Sequence, residues 1–141
     1  MEIRMKALLI IDIQNDYFKG GNCELVNPEI ASANAKKLLE KFREKNMPVF
    51  HIQHFSIREN ATYFLPNTNG VLIHETVKPL ENEIVIPKNF PNSFSKTSLL
   101  EELKKQEIKE LIICGMMTHM CIDATTRAAF DLGFDCIVSY D

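Results

Sequence analysis

Lys6-Ala7-Leu8-Leu9-Ile10-Ile11-Asp12 is a continuous apolar run that closes on an acid. A run without polar alternation reads as a strand buried on both faces, the pattern of a parallel sheet. It returns along the chain, in Met47 to His54, Glu83 to Lys88, Leu111 to Cys114 and Phe134 to Tyr140. Helical patterns alternate with these runs. Asn27-Pro28-Glu29-Ile30 opens the first, with Asn27 as N-cap and Pro28 at the first helical position. Ile30, Ala33, Leu38, Leu39 and Phe42 form its apolar stripe, against a wet face of Lys36, Lys37, Lys41, Arg43 and Lys45. A second begins at Ser98, an N-cap with Glu101 in the capping-box position. A third follows Cys121 and is closed by Gly133. Strands alternating with helices predict an α/β fold with one parallel sheet and right-handed crossovers, in a single domain spanning 1–141.

Composition narrows the function. With 141 residues, 45% of them hydrophobic, the chain can bury one core. A net charge of -3 with no concentrated basic stripe argues against a nucleic-acid partner. The apolar run from Ala7 to Ile11 is too short for a secretory or membrane segment, so no membrane partner and a soluble, cytoplasmic protein are expected. The four cysteines, Cys23, Cys114, Cys121 and Cys136, show no metal-finger spacing and read as reduced thiols. The chain stops at Asp141, directly after a strand that a further helix ought to cover, as in an incomplete domain.

In an open parallel sheet, ligands bind beyond the carboxyl ends of the strands. Three reactive side chains fall there: Asp12, Lys88, and Cys121 within Gly115-Met116-Met117-Thr118-His119-Met120-Cys121. A strand, a short turn and a helix place Cys121 beside a helix N-terminus, where free N–H groups and the dipole favour a thiolate. Asp12 can take the cysteine's proton and later return it to a leaving amine. Lys88 would hold Asp12 ionised and favour the thiolate. Backbone N–H groups of Met117 and Cys121 could bind a developing oxyanion. Tyr17, Phe18, His54, Phe94 and His119 sit on strand-end loops as candidates for binding a small planar substrate. Each has a plainer reading, as a loop anchor or a backbone partner. Asp16 reads as a loop brace, Thr118 as an orderer of the turn and His74 as surface.

Leu9-Ile10-Ile11-Asp12-Ile13-Gln14-Asn15-Asp16-Tyr17, Lys88 ahead of Asn92-Ser93-Phe94, and the Gly115–Cys121 stretch together resemble the isochorismatase-like cysteine hydrolase superfamily. That group includes nicotinamidases, N-carbamoyl amidohydrolases and isochorismatases. The resemblance implies a three-layer Rossmann-like fold with strand order 3-2-1-4-5 and a sixth strand beyond the chain end. It implies a catalytic triad of Asp12, Lys88 and Cys121, and a cis peptide between Met116 and Met117 that turns the Met117 N–H into an oxyanion hole. It also implies a small-molecule substrate and a homo-oligomer, a dimer or larger.

Family nicotinamidases carry an Asp-x-His metal motif after the second strand, where this chain has His51-Ile52-Gln53-His54-Phe55-Ser56. His51 and His54 fall on opposite faces of a strand with no carboxylate beside them, so no metal and no cofactor are expected. Isochorismatases in the resembling group do not depend on the cysteine, so Cys121 favours amide or carbamoyl hydrolysis through a thioester. The rivals are vinyl-ether hydrolysis of the isochorismate type, a catalytically silent homologue acting as a binding or assembly module, and a thiol redox role with Cys114 as the resolving cysteine. Specificity is assigned to the loops Ser56–Gly70 and Asn89–Lys96.

Overall fold

The computed structural model describes residues 5–139, apart from the side chain of His119. Five strands form one parallel sheet: β1 (Lys6–Ile11), β2 (Val49–His54), β3 (Ile84–Lys88), β4 (Glu110–Gly115) and β5 (Asp135–Val138). Their order is β3-β2-β1-β4-β5. This is the α/β arrangement that the sequence pattern predicts and the strand order that the resemblance implies. Helix α1 (Pro28–Glu44) connects β1 to β2, α2 (Leu99–Lys105) precedes β4, and α3 (Asp123–Asp131) leads from β4 into β5.

The absence of alternation in β1 has a direct cause. Ala7, Leu9 and Ile11 pack into the cluster holding Leu99 and Leu103 of α2 and Ala129 of α3. Leu8 and Ile10 face the other way, onto Ala35, Leu39 and Phe42 of α1. Both faces of the central strands are therefore covered by helices and loops, so their inward positions are apolar except for His51 of β2, whose Nε2 bonds Glu83 at 2.8 Å. β3 lies at one edge, where Pro87, which has no N–H to donate, costs no ladder bond to a further strand. Its register sets Pro87 opposite Gln53 and Lys88 opposite His54.

Three local readings are corrected. The buried stripe of α1 runs through Pro28, Ser32, Ala35, Leu39 and Phe42, while Ile30 is 54% exposed and Ala33 faces water. Ser32 is tolerated inside because its hydroxyl bonds the Glu29 carbonyl at 3.1 Å. Asn27 stands at φ 52° and makes no side-chain cap; its backbone carbonyl accepts the Ile30 N–H at 3.2 Å instead. Ser98 also makes no side-chain cap, and the Thr97 hydroxyl accepts the Leu99 N–H at 3.3 Å. Gly133, at φ 97°, does end α3, with the Phe134 N–H returning to the Ala129 carbonyl at 3.0 Å. The last residue of the predicted fifth strand, Tyr140, and the terminal Asp141 lie outside the described residues.

Candidate active site

Three strand ends deliver the reactive groups. At the end of β1 the chain turns at Asp12, φ 54°, whose N–H bonds the Ile52 carbonyl at 3.0 Å. β3 ends on Lys88. β4 ends on Gly115, φ 132°, where any side chain would run into the backbone of Ile11 on β1. Beyond it, Met116 and Met117 are joined by a cis peptide. A single π-helical turn, Thr118–Ile122, then carries Cys121 into α3.

Asp12 and Lys88 are fully buried, and Cys121 is 6% exposed. The Lys88 ammonium lies 3.0 Å from Asp12 Oδ2, 3.4 Å from Cys121 Sγ and 2.8 Å from His54 Nδ1. One ligating atom each of Asp12, His54 and Cys121 lies within 4.8 Å of the others. These donor types suit a divalent cation, but the ammonium already sits among them and takes that part. No carboxylate neighbours His54 in the chain, but the fold brings a carboxylate and a thiol to it from other elements.

The electrostatics depart from expectation at one point. Burial pushes the Cys121 thiol up to about 12; the facing Asp12 carboxylate adds to this and Lys88 partly offsets it. Burial also raises the Asp12 carboxyl, against the pull of Lys88. A preformed thiolate at a helix N-terminus is therefore not the resting state. With one ammonium for two acids, the site holds one negative charge and one shared proton. Asp12 also makes no well-aligned hydrogen bond from either oxygen: its partners are the Lys88 ammonium, as an ion pair at 3.0 Å, and the Cys121 thiol beside it. A carboxylate so poorly satisfied is a strong base for its setting.

A cavity of about 290 Å³ opens on this group. Asp12, Tyr17, His54, Met117 and Cys121 line it, along with Tyr63 and Phe64 from one loop and Phe90 and Pro91 from another. Phe18 does not line it; its ring stacks on His74 at 3.7 Å, so His74 is a partner of the core as well as a surface residue. Phe94 does not line it either and packs on Phe134 at 6.1 Å. His119 belongs to the π-helical turn, and its side chain lies outside the described residues. Cys114 is buried in the cluster on the sheet face opposite to that of Cys121, which removes the proposed resolving partner.

Several residues shape the cavity in ways not legible in the sequence. The buried Gln14 amide accepts the His54 N–H at 2.8 Å and donates to the His54 carbonyl at 3.0 Å and the Val71 carbonyl at 2.7 Å. Asp16 braces the loops as expected, accepting the N–H groups of Phe64 at 2.7 Å and Asn22 at 3.1 Å. Gly70 is needed here because a Cβ would strike that carboxylate. On the other side, Thr125 of α3 bonds Ser93 N–H at 3.0 Å and the Ser93 hydroxyl at 2.9 Å, fixing the loop that presents Phe90 and Pro91.

Comparison with known proteins places this geometry. The family model for the isochorismatase domain matches residues 6–141. The chain is 56% identical, over 135 residues, to the uncharacterised isochorismatase family protein YddQ of Bacillus subtilis, covering 96% of this chain and 75% of the relative. It is 30% identical over 150 residues to nicotinamidase 3 of Arabidopsis thaliana, covering 98% and 72%. A crystal structure of a hydrolase from Oleispira antarctica, assigned to the isochorismatases, superposes with a TM-score of 0.92 at 46% identity, covering 99% of this chain and 75% of that one.

Proposed function

The chain belongs to the isochorismatase family of hydrolases, and we propose that within it this protein hydrolyses a small C–N amide or carbamoyl substrate by way of a Cys121 thioester. The observation that carries the reading is the single ammonium of Lys88 set between Asp12 Oδ2 at 3.0 Å and Cys121 Sγ at 3.4 Å, at the wall of a small cavity. The relative named a nicotinamidase supports an amide as substrate.

Substrate binds with its carbonyl carbon against Sγ. Asp12 takes the thiol proton as the C–S bond forms, and the carbonyl π pair moves onto oxygen. The N–H groups of Met117 and Cys121 hold that oxyanion. Lys88 stays charged and offsets whichever group is the anion, Asp12 before the transfer and the oxyanion's neighbourhood after it. The oxyanion collapses, the C–N bond breaks, and the proton on Asp12 goes to the leaving nitrogen. Asp12 then deprotonates a water that attacks the thioester; the C–S bond breaks and the thiolate recovers the proton. The raised carboxyl and raised thiol suit this order, because the proton moves during attack rather than before it.

Ammonia release from a panel of primary amides and ureido compounds, with the thioester trapped by hydroxylamine, tests the reading. Cys121→Ala and Asp12→Asn proteins should each lose about a thousandfold or more in kcat/KM. Full activity in Cys121→Ala, or pyruvate release from a vinyl ether that ignores Cys121, would refute it.

A further inference from the structure

Two nitrogen donors at the cavity have no acceptor among the described residues. The first is the guanidinium of Arg58. It lines the cavity from an exposed position and forms no ion pair among the described residues; Glu59, next in the chain, does not line the cavity. The second is Nε2 of His54. The Lys88 ammonium lies against Asp12 Oδ2 at 3.0 Å as an ion pair and makes hydrogen-bond contacts with Cys121 Sγ and His54 Nδ1. An ammonium cannot accept, so Nδ1 is the acceptor of that bond and the imidazole proton resides on Nε2. Burial and the Lys88 charge hold the His54 pKa down to about 4, which keeps the ring neutral. The Gln14 amide clamps the His54 main chain at both its N–H and its carbonyl, so this donor is held in place. The charge count points the same way: Arg58 at the cavity and Lys88 beside Asp12 stand against the one carboxylate of Asp12, on a wall that is otherwise uncharged, with Ser56 and Asn89 among mostly apolar and aromatic side chains.

We propose that the substrate is an acidic amide, a small molecule whose scissile amide lies against Cys121 and whose carboxylate is received by Arg58 and the Nε2–H of His54. This rests on the amide-hydrolase reading above and adds the substrate class to it. A guanidinium presents a planar fork that matches a carboxylate with two parallel bonds, and an imidazole N–H supplies a third. Arg58 sits at the rim, where the carboxylate keeps part of its hydration and the cost of entry is moderate. The same arrangement repels cationic amides. Unpaired donors discriminate strongly, because an analogue lacking the acceptor leaves them unsatisfied on closure.

The experiment compares malonamate, succinamate and glutaramate with the matching neutral diamides malonamide, succinamide and glutaramide, which brackets the distance from Cys121 to Arg58. At least one monoacid should exceed its diamide about tenfold or more in kcat/KM, mainly through KM. Arg58→Gln should collapse that ratio to near one. A second readout does not need turnover: calorimetric binding of malonate, succinate and glutarate to the Cys121→Ser protein, lost on adding Arg58→Gln. Diamides preferred over monoacids, or a ratio untouched in Arg58→Gln, would overturn the proposal. Acids that bind through Arg58 without any amide turnover would sink the hydrolase reading and leave the anion site standing. Amide turnover with no acid preference would do the reverse.

Discussion

The sheet holds two buried clusters of the same three ingredients, a cation, a carboxylate and a histidine of β2, and they behave in opposite ways. Beyond the carboxyl ends of the strands stand Lys88, Asp12 and His54. Ahead of β3 stand Arg43, Glu83 and His51. Glu83 accepts from Arg43 Nε at 2.7 Å and Nη2 at 2.8 Å, from His51 Nε2 at 2.8 Å and from the Leu80 N–H at 3.1 Å. Burial would raise it, but those bonds prevail and hold its carboxyl down to about 2. Asp12 has an ion pair with Lys88, the Cys121 thiol beside it, no well-aligned hydrogen bond from either oxygen and a raised carboxyl. Only the cluster whose carboxylate is satisfied is a brace, although His51 Nδ1 within it is buried without a partner among the described residues. The under-satisfied one keeps a base available, and the missing bonds are the measure of that availability.

The largest effect expected from this contrast comes from removing each carboxylate in turn. Asp12→Asn should cost about a thousandfold or more in activity while changing the melting temperature little, since burial already penalises the Asp12 anion and the Cys121 thiol, 3.4 Å from the ammonium, can supply Lys88 with a counter-anion in its place. Glu83→Gln should do the opposite, costing about 2 kcal/mol of stability with per-molecule activity retained, because it strips the charge from a bidentate Arg43 pair and from His51. Equal losses of stability in the two proteins, by denaturant titration, would break the comparison.

Alkylation of Cys121 by iodoacetamide sharpens it next. The midpoint of labelling should lie well above the ordinary thiol value of about 8.5. Asp12→Asn should lower it, by removing a facing anion, and Lys88→Ala should raise it further. Shifts of the same sign in both proteins would count against one shared proton.

Acid stability gives the smallest effect. The pKa values of His51 and His54 are lowered in the fold, chiefly by burial, from 6.5. Below about 6.5 the unfolded chain binds protons that the folded one does not, so stability falls as pH drops through that value. Glu83 adds stability that is complete above about 4.5 and is lost on the way down to about 2. Thermal melts against pH should show both limbs in the parent protein, and only the histidine limb should survive in Glu83→Gln.

Much of this was legible in the sequence. Runs such as Leu8-Leu9-Ile10-Ile11 read as strands covered on both sides, while the sheet order is legible only through the family resemblance. Asp12, Lys88 and Cys121 were legible because charged or nucleophilic groups at the ends of such strands must meet in a cleft. The α1 stripe was misread because Ser32 and Ala35 carry less hydrophobic signal than Ile30, and packing rather than residue type decided the buried face. Gln14 falls in the Leu9–Tyr17 motif, and Arg58 and Phe64 in the Ser56–Gly70 loop assigned to specificity, but their individual parts are not legible, since each depends on contacts distant in sequence. The protonation of Cys121 could not be read at all: a helix start favours the thiolate, and only the fold reveals the burial and the facing carboxylate that outweigh it.

The edge position of β3 has a practical consequence for anyone preparing this protein. Lys88 reaches Asp12 only because β3 pairs with β2 in the register that sets it opposite His54. A slip of one residue would turn every β3 side chain to the other layer and put Pro87 in its place. Such molecules would give the same circular dichroism and the same elution volume, yet on the proposed mechanism they would lack the Lys88–Asp12–Cys121 site. Specific activity per titrated Cys121, rather than purity or secondary-structure content, is therefore the gauge of correct assembly.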